Sequence, residues 1–426
     1  MKVSLIQPIH ADYKVVKKRK GGIFKPSQLT MPYIAACTPR DFDVEIHDEI
    51  VGPINPEKIN GDIVGITAVT PFVNRAYELA GYFRARGQTV ILGGPHVSAL
   101  PREAVHHADS VIVGEGDHLW PRALQDWKKH ELKPLYRNEA PLTLRGLPAP
   151  RWDLLSPEDY IIPQVVQASR GCPFACDFCS LRTVFPTYRT RPIRDIIEEV
   201  ERIPYRNILF WDDNITGDPH WARQLFRELT PLKKHWYGQS TITIAQSEEL
   251  VQLAGKSGCS GLFIGLESFS PRSLREVGKG FNQVLKYKQN IGLLRDHGIG
   301  VISGIMFGFD GDTLDTFEAT LEGAIKIGLA GIACSIVTPY PGTPLFERMN
   351  REKRLITCDW SRYTSDEAVF IPKNMTARQL VEGHNWVGQN FYTYASMVRR
   401  YWSSRFFYHP TPSRMLNNAV VQRTCG

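Results

Sequence analysis

Three cysteines stand within eight residues of one another and form the densest group of reactive side chains in the sequence. Cys172, Cys176 and Cys179 are separated by three and then two residues. A loop with this spacing can wrap a compact metal centre, and thiolates favour zinc or an iron–sulfur cluster. A structural zinc site usually takes a fourth ligand from a second Cys or His pair, and none stands nearby in the sequence. Three thiolates on three irons of a 4Fe–4S cluster leave the fourth iron open to a substrate-like ligand.

Strand and helix patterns alternate six times around these cysteines, between about Gln164 and Leu345. Helical spacing separates the strands, as in Arg194–Arg202 and Pro271–Val277. The alternation predicts a parallel barrel with fewer units than a full barrel, whose active residues gather at the carboxyl ends of its strands. The predicted strands are Gln164–Ser169, Asn207–Asp212, Trp236–Ile244, Gly261–Glu267, Gly300–Phe307 and Ile332–Thr338.

The residues ahead of the barrel show a second pattern of strands, glycine turns and helices. Two of its strands run into the turns Gly93-Gly94-Pro95-His96 and Gly114-Glu115-Gly116-Asp117. This order predicts a doubly wound parallel sheet. Ligands of such sheets bind outside the carboxyl ends of the strands, where these turns lie. The predicted strands are Lys2–Gln7, Asp62–Thr67, Thr89–Leu92 and Ser110–Val113.

The patterns divide the chain into residues 1–140, a proline-rich linker at 141–160, the barrel at 161–345 and a helical extension at 346–426. The extension is rich in aromatic residues between Trp386 and Tyr408. These side chains could line a pocket for a large planar or apolar substrate, dock on a membrane surface or cover the open side of the barrel. The last interpretation is favoured, because aromatic side chains mostly fill cores.

Composition excludes several classes of protein. With 42% hydrophobic residues among 426, the chain is not broadly disordered, and eight cysteines are too few for a disulfide-stapled miniprotein. No apolar stretch is long enough for a transmembrane helix, and the start of the chain is typical of a first strand and not of a secretion signal. We therefore expect the protein to reside in a reducing cytoplasm. The formal charge of +7 selects no partner among acidic small molecules, nucleic acids and membranes.

The cysteine spacing, with Phe178 before the last cysteine, resembles that of the radical S-adenosylmethionine (SAM) superfamily. The resemblance implies that Cys172, Cys176 and Cys179 hold a 4Fe–4S cluster whose open iron chelates the amino and carboxylate groups of SAM. Reduction then cleaves the sulfonium and releases a 5′-deoxyadenosyl radical, which abstracts hydrogen from the substrate. The alternatives from another class are an iron–sulfur electron-transfer protein and a zinc-binding module.

The resemblance also implies roles for polar residues at two strand ends. Asp212, Asp213 and Asn214 end the second barrel strand, where family members contact the SAM amino group, and they supply oxygen acceptors for it. They could equally form a turn and a helix cap. Glu267 and Ser268 end the fourth strand, in a turn that reaches the ribose or carboxylate of SAM in many members.

Basic residues flank the cysteine loop. Arg170, Arg189 and Arg191 are candidates for neutralising the cluster, the SAM carboxylate or an acidic substrate. A solvated basic loop is the alternative.

The whole chain resembles the radical SAM group that carries a cobalamin-binding-type domain ahead of the barrel. Gly93, Gly94 and Gly114 could cradle the nucleotide tail of cobalamin, or merely close a scaffold sheet. Methionine-synthase-type domains supply an axial histidine from an Asp–x–His–x–x–Gly motif after the first strand. Here His10 does not match that spacing, and the binding of cobalamin stays open.

The resulting hypothesis is a radical SAM enzyme that functionalises an unactivated carbon of a small pigment, lipid or antibiotic intermediate. Cobalamin-dependent C-methylation is narrowly favoured over cobalamin-independent hydroxylation, dehydration or carbon coupling. The expected partners are a small-molecule substrate and an electron donor such as flavodoxin or ferredoxin. No nucleic acid is expected, because no RNA-binding module follows the barrel. Peripheral membrane contact and oligomeric state stay open.

Overall fold

The computed structural model of the chain describes residues 1–9 and 26–403. Within them lie two six-stranded sheets and one two-stranded ribbon. The strands are β1 (Lys2–Gln7), β2 (Asp43–Asp48), β3 (Ile63–Thr67), β4 (Thr89–Gly93), β5 (Ser110–Val113), β6 (Leu135–Arg137), β7 (Val165–Val166), β8 (Ser169–Arg170), β9 (Arg189–Thr190), β10 (Asn207–Phe210), β11 (His235–Ser240), β12 (Cys259–Glu267), β13 (Gly300–Phe307) and β14 (Gly331–Ile336). The helices are α1 (Thr30–Cys37), α2 (Val73–Ala85), α3 (Pro95–Ala99), α4 (Pro101–Ala104), α5 (Leu119–Lys128), α6 (Ile193–Arg202), α7 (Pro219–Leu229), α8 (Glu248–Lys256), α9 (Pro271–Glu276), α10 (Tyr287–Asp296), α11 (Asp315–Lys326), α12 (Pro344–Arg351), α13 (Ala377–Phe391) and α14 (Tyr394–Ser403).

The first sheet is parallel throughout, with the strand order β2-β1-β3-β4-β5-β6. The direction of winding reverses between β1 and β3, and ligands of doubly wound sheets bind at such a switch point. Helix α2 covers one face through Val73, Leu79 and Phe83, while Met31 of α1 and Trp120 of α5 lie against the other. Helices on both faces confirm the predicted doubly wound sheet.

The second sheet runs in sequential parallel order from β7 through β10, β11, β12 and β13 to β14. Each strand pairs with the next strand of this sheet along the chain, as in a barrel, and β7 and β14 form its two edges. Trp236 lies at the centre of the core between the rings of Phe210 and Phe226, with ring centroids 5.5 and 5.3 Å away. The sheet is therefore the six-unit partial barrel that the sequence predicts.

Polar residues encoded before five of the helices define where those helices begin. A side-chain oxygen at the residue preceding each of the five accepts a backbone N–H of the first turn, which satisfies a donor that has no partner inside the helix. The capping residues are Asp218, Ser247, Ser270, Thr343 and Thr376.

The first barrel strand differs from the prediction. Instead of one strand over Gln164–Ser169, the chain forms the short β7 and then β8, which pairs antiparallel with β9. The backbone N–H groups of Ala168 and Ser169 donate to the carboxylate of Asp212. These N–H groups are thereby withdrawn from the ladder, and the chain leaves the sheet at this point.

The helical extension covers the free edge strand β14. The hydroxyl of Tyr392 accepts from the backbone N–H of Ile332 at 2.9 Å and donates to the carbonyl of the same residue at 2.7 Å. This is the arrangement expected if the extension closes the open side of the barrel. The part of the aromatic segment after residue 403 lies outside the described residues, as does His10. Among the helices that the structure describes, none combines the length and the apolar character needed to cross a membrane.

Candidate active site

The three predicted cysteine ligands lie on a loop that the β8–β9 ribbon closes at its base. Residues 171–188 form this loop, which we call the cluster loop. Gly171 begins it with φ +83°, and the carbonyl of Thr187 lies against the position that a Cβ would take there. Only glycine combines this backbone conformation with so close an approach, so the residue before Cys172 is determined by the closure of the loop.

The three thiols lie close enough together to influence one another electrostatically. Burial raises the pKa of Cys176 to about 11 and also raises the pKa values of Cys172 and Cys179. The ammonium of Lys279 opposes the rise at all three thiols. Metal binding deprotonates a coordinating thiol outright, and a nearby cation favours the thiolate form.

Two neighbouring segments hold the cluster loop in place through Asp177. Its backbone N–H donates to the carbonyl of Val277 at 3.1 Å, and its carbonyl accepts from the N–H of Leu345 at 3.1 Å. Its carboxylate accepts from Arg348 at 2.9 Å. The loop between Cys176 and Cys179 is thus fixed to the residue that follows α9 and to helix α12.

The donor set fits a 4Fe–4S cluster. The backbone N–H groups of Phe174 and Leu181 oppose the rise in the pKa values of Cys172 and Cys179, and the Asn214 amide nitrogen lies 3.8 Å from the Cys172 sulfur. Such donors favour the thiolate form. In the described part of the chain, no three His, Cys, Asp or Glu side chains are arranged for a single metal ion. A four-iron cluster takes one thiolate per iron, so it does not need the sulfurs to converge on one point.

The three polar residues after β10 divide into different roles. Asp212 is fully buried, and one of its oxygens accepts from the N–H of Ala168 at 3.1 Å while the other accepts from the hydroxyl of Ser169 at 2.5 Å. Burial raises its pKa to about 7. Its carboxylate is therefore occupied in shaping the entry to the cluster loop. Asp213 accepts from the N–H of Gly171 at 3.1 Å, and burial raises its pKa to about 6; Asp213 and Asn214 flank the cysteines.

Glu267 lies at the end of β12, where the strand register shifts and the backbone adopts φ +65°. Its carboxylate and the ammonium of Lys279 are 2.5 Å apart, and both residues are less than a tenth exposed. Ser268 is buried as well, but its hydroxyl accepts from the N–H of Ser270 at 3.0 Å and serves the turn. Glu267 therefore contributes to the site as half of a buried ion pair.

Sequence reasoning did not identify Lys279. The residue lies between Gly278 and Gly280 in a loop and belongs to no motif that the sequence analysis used. The available signal was the pair of flanking glycines, which let a chain approach another segment closely. A Cβ on Gly278 would lie 3.1 Å from the carbonyl of Ala175 in the cluster loop, and this close approach brings Lys279 to the cysteines.

The glycine turns of the first sheet are tied to each other. Gly94 has φ +101°, and a Cβ there would lie 2.7 Å from the hydroxyl oxygen of Thr67. The Ser98 hydroxyl donates to the carbonyl of Gly94 and accepts from the N–H of Gly114, both at 2.9 Å. At Gly93 and Gly114, in contrast, a Cβ would meet no atom closer than 3.9 and 3.7 Å. A Cβ at either of these two residues would therefore make only ordinary van der Waals contact.

The carboxyl ends of the two sheets face each other. A Cβ on Gly342, after β14, would lie 3.1 Å from Ala99 of α3 and 2.8 Å from Thr183, just past the cluster cysteines. The Trp360 indole N–H donates to Glu103 at 3.2 Å across the same boundary. The structure thus brings Gly93, Gly94 and Gly114 to the same side of the molecule as the cysteines. The glycines and the cysteines are not in direct contact with one another.

The three arginines beside the cluster loop bond protein carboxylates. Arg170 and Arg189 pair with residues of the turn after β5, and Arg191 pairs with Glu199 at 2.7 Å. Each of these cationic groups is therefore paired with a carboxylate of the protein, in contrast to the solvated basic loop given as the alternative. His96 is likewise engaged: it is fully buried, and its ring nitrogens lie 3.2 Å from Thr70 and 3.1 Å from Glu103.

Comparison with known proteins identifies the family. The model of the radical SAM superfamily matches residues 166–324. Bacteriochlorophyllide d C-12(1)-methyltransferase of Chlorobaculum tepidum is 31% identical over 408 residues, which span 93% of this chain and 88% of that protein. Bacteriochlorophyllide d C-8(2)-methyltransferase of the same organism is 30% identical over 79% of each chain.

A solved structure shares the arrangement of both sheets. The radical SAM methyltransferase TsrM from Kitasatospora setae, determined with cobalamin and a 4Fe–4S cluster bound, superposes with a TM-score of 0.67 at 16% identity. The superposition covers 82% of this chain and 75% of that chain. The chain belongs to the radical SAM superfamily of enzymes, in the subgroup whose barrel follows a domain of the cobalamin-binding type.

Proposed function

We propose that this chain is a cobalamin-dependent radical SAM C-methyltransferase that acts on an unactivated carbon of a small biosynthetic intermediate. The observation that carries the proposal is the joined carboxyl ends of the two sheets, with the three-thiol cluster loop on one side and the glycine turns on the other. The names of the relatives support methyl transfer, and those of the two bacteriochlorophyllide enzymes favour a pigment over a lipid or antibiotic substrate.

Cys172, Cys176 and Cys179 would hold the 4Fe–4S cluster, which supplies the electron that cleaves SAM when both are bound. The ammonium of Lys279 has three N–H donors, and Glu267 takes one of them. Lys279 can therefore also bind the carboxylate of SAM. Asp213, beside the cysteines, offers a carboxylate for the amino group.

The first sheet would hold cobalamin, which carries the methyl group to the substrate when bound. The partly exposed backbone of Gly93 and Gly114 suits the close approach of a ligand, and both lie along the carboxyl edge that doubly wound sheets use. Gly94 serves the turn itself. His96 is committed to Thr70 and Glu103, so it is not proposed as a cobalt ligand.

We further propose that residues 1–140 and 161–345 act as the cobalamin and SAM domains, with 141–160 as linker and 346–426 as cover. The electron donor, a flavodoxin or ferredoxin, would approach the outer face of the cluster loop. Pro173 and Ala175 are exposed there, and Arg275 and Lys286 are exposed on the neighbouring segment that follows β12. A basic rim favours an acidic donor. A reducing cytoplasm is the setting that suits the cluster.

The test uses protein reconstituted with iron, sulfide and cobalamin away from oxygen, then supplied with methyl-deuterated SAM, a reductant and candidate pigments, lipids and antibiotic precursors. The proposal expects one substrate to gain a deuterated methyl group. Cys176→Ala should abolish the gain, whereas Cys259→Ala, at a buried cysteine away from the loop, should retain it. Formation of 5′-deoxyadenosine together with an oxidised, unmethylated product would instead establish cobalamin-independent radical chemistry.

A further inference from the structure

Both strands at the base of the cluster loop reach the same turn of the first sheet. Arg170 and Arg189 face each other across the β8–β9 ribbon. Arg170 lies 2.8 Å from one oxygen of Glu115, and Arg189 lies 2.8 Å from the other. Arg170 also forms a two-point contact with Asp117, at 2.8 and 2.9 Å. We call these four residues the arginine clamp.

The clamp is buried and balanced in charge. Arg170, Glu115 and Asp117 are each 4–6% exposed, so their ion pairs are little screened by solvent. Two guanidinium groups face two carboxylates. The guanidinium of Arg170 also lies 5.1 Å from the ring centroid of Tyr33 in α1 and 5.6 Å from that of Phe185 in the cluster loop. Arg170 therefore contacts the first sheet, one of its helices and the cluster loop at once.

The same turn is connected to the predicted cobalamin site. Gly114 directly precedes Glu115, and its N–H is held by Ser98, which also holds Gly94. The side chain of Asn138 donates to the carbonyl of Glu115 at 2.8 Å. A continuous set of hydrogen bonds and ion pairs therefore runs from the glycine turns, through Glu115 and Asp117, to the residue two positions before Cys172.

We propose that Arg170 is a positioning residue that sets the location of the cluster loop relative to the glycine turns, and with it the separation of the two cofactor sites. This inference rests on the proposed function for its consequence, since a methyl group can pass between SAM and cobalamin only at a defined separation. The planar fork of arginine is needed because a lysine ammonium cannot contact Glu115 and Asp117 with the same paired geometry.

Two substitutions test the clamp from opposite sides of the boundary. Arg170→Lys keeps the charge and removes the fork, and Asp117→Asn weakens the same contact from the first sheet. The matched control is Arg354→Lys. Arg354 is also a buried arginine with two carboxylate partners, Asp310 and Glu352, but it lies in the segment after β14.

The first measurement is amide hydrogen exchange of the cluster-reconstituted enzyme, which does not depend on cobalamin. Both clamp variants should accelerate exchange about tenfold or more in residues 171–188 and in the turn at 114–117 together. The control should leave both segments at wild-type rates. The telling case is Asp117→Asn, because a purely local role would change the turn and leave the cluster loop unaffected. Unchanged exchange in the cluster loop of both variants would overturn the proposal.

The second measurement is the distance between the reduced cluster and added cob(II)alamin by pulsed electron paramagnetic resonance. The wild type should give one narrow distance, the clamp variants a broadened distribution and the control the wild-type result. A narrow, unchanged distance in Arg170→Lys would overturn the positioning role. Failure of the wild type to bind cobalamin would refute the proposed function, and the exchange experiment would still decide whether the clamp orders the loop.

Discussion

Removal of the buried ammonium of Lys279 should destabilise the protein and weaken its binding of SAM. The ammonium is 2.5 Å from the Glu267 carboxylate, and both side chains are at most a tenth exposed. Lys279→Met therefore leaves an uncompensated buried charge, which costs about 3–5 kcal/mol. The double variant Glu267→Gln/Lys279→Met removes both charges, so it should recover most of that loss.

The binding of SAM should not recover in the double variant. A hydrogen bond to a charged group contributes about 1.5–3 kcal/mol. Its loss should raise the dissociation constant for SAM roughly ten- to hundredfold. Stability is measured by urea unfolding followed by tryptophan fluorescence, and SAM binding by calorimetry on the reconstituted protein, both without oxygen.

The control for this pair is the exposed ion pair between Arg272 and Glu276, at 2.9 Å on α9. Because it is exposed, Arg272→Met should cost less than about 1 kcal/mol. A loss of stability in Lys279→Met no larger than that in Arg272→Met would contradict the cost assigned to the buried pair. Wild-type affinity for SAM in the double variant would contradict the role of Lys279 in binding it.

Three further substitutions test other parts of the structure. Gly94→Ala should cost about 3 kcal/mol, from its positive φ and the missing space, whereas Gly146→Ala, with φ +68° and nothing within 4 Å, should cost about 1 kcal/mol in the same thermal unfolding assay. Asp312 has a pKa raised from 3.8 to about 6 by burial, so the folded state binds its proton more tightly and stability should fall as pH rises through this range. Asp312→Asn should remove this contribution of about 3 kcal/mol and leave the pH dependence that Asp212 and Asp213 give over the same range, and a pH dependence of urea unfolding equal to that of the wild type would contradict the assignment. Tyr392→Phe loses both hydrogen bonds to Ile332 and should lower the unfolding free energy by about 1–3 kcal/mol; no loss would show that the extension does not depend on this contact.

Features that depend on nearby residues could be predicted from the sequence. The bounds of β1, β5 and β13 match the predicted bounds, because each of these buried strands is rich in apolar residues. The glycine turns could be predicted as well, because glycines that directly follow a strand indicate a tight turn. Strand β2, which alternates polar and apolar residues at the edge of the first sheet, lacked an apolar run and was missed.

Features that depend on distant residues could not be predicted. The first barrel strand is interrupted because Asp212 accepts the backbone N–H groups of Ala168 and Ser169, which lie 44 and 43 positions earlier in the chain. No local pattern signals this contact. For the same reason, the sequence allowed the positive charge of Arg170 to be assigned to SAM or to a substrate. In the fold, Arg170 bonds the carboxylates of Asp117 and Glu115, which lie 53 and 55 positions earlier in the chain. Lys279 was missed because only the approach of its loop to the cysteines gives it a role.

The most direct test of the account is the electron paramagnetic resonance spectrum of the chain after anaerobic reconstitution with iron and sulfide and reduction by dithionite, recorded with and without SAM. We expect a reduced 4Fe–4S signal that changes shape when SAM is added, together with formation of 5′-deoxyadenosine. The signal should be lost in Cys172→Ala, Cys176→Ala and Cys179→Ala. A protein that stays colourless, or one whose cluster signal ignores SAM and yields no 5′-deoxyadenosine, would contradict the central claim.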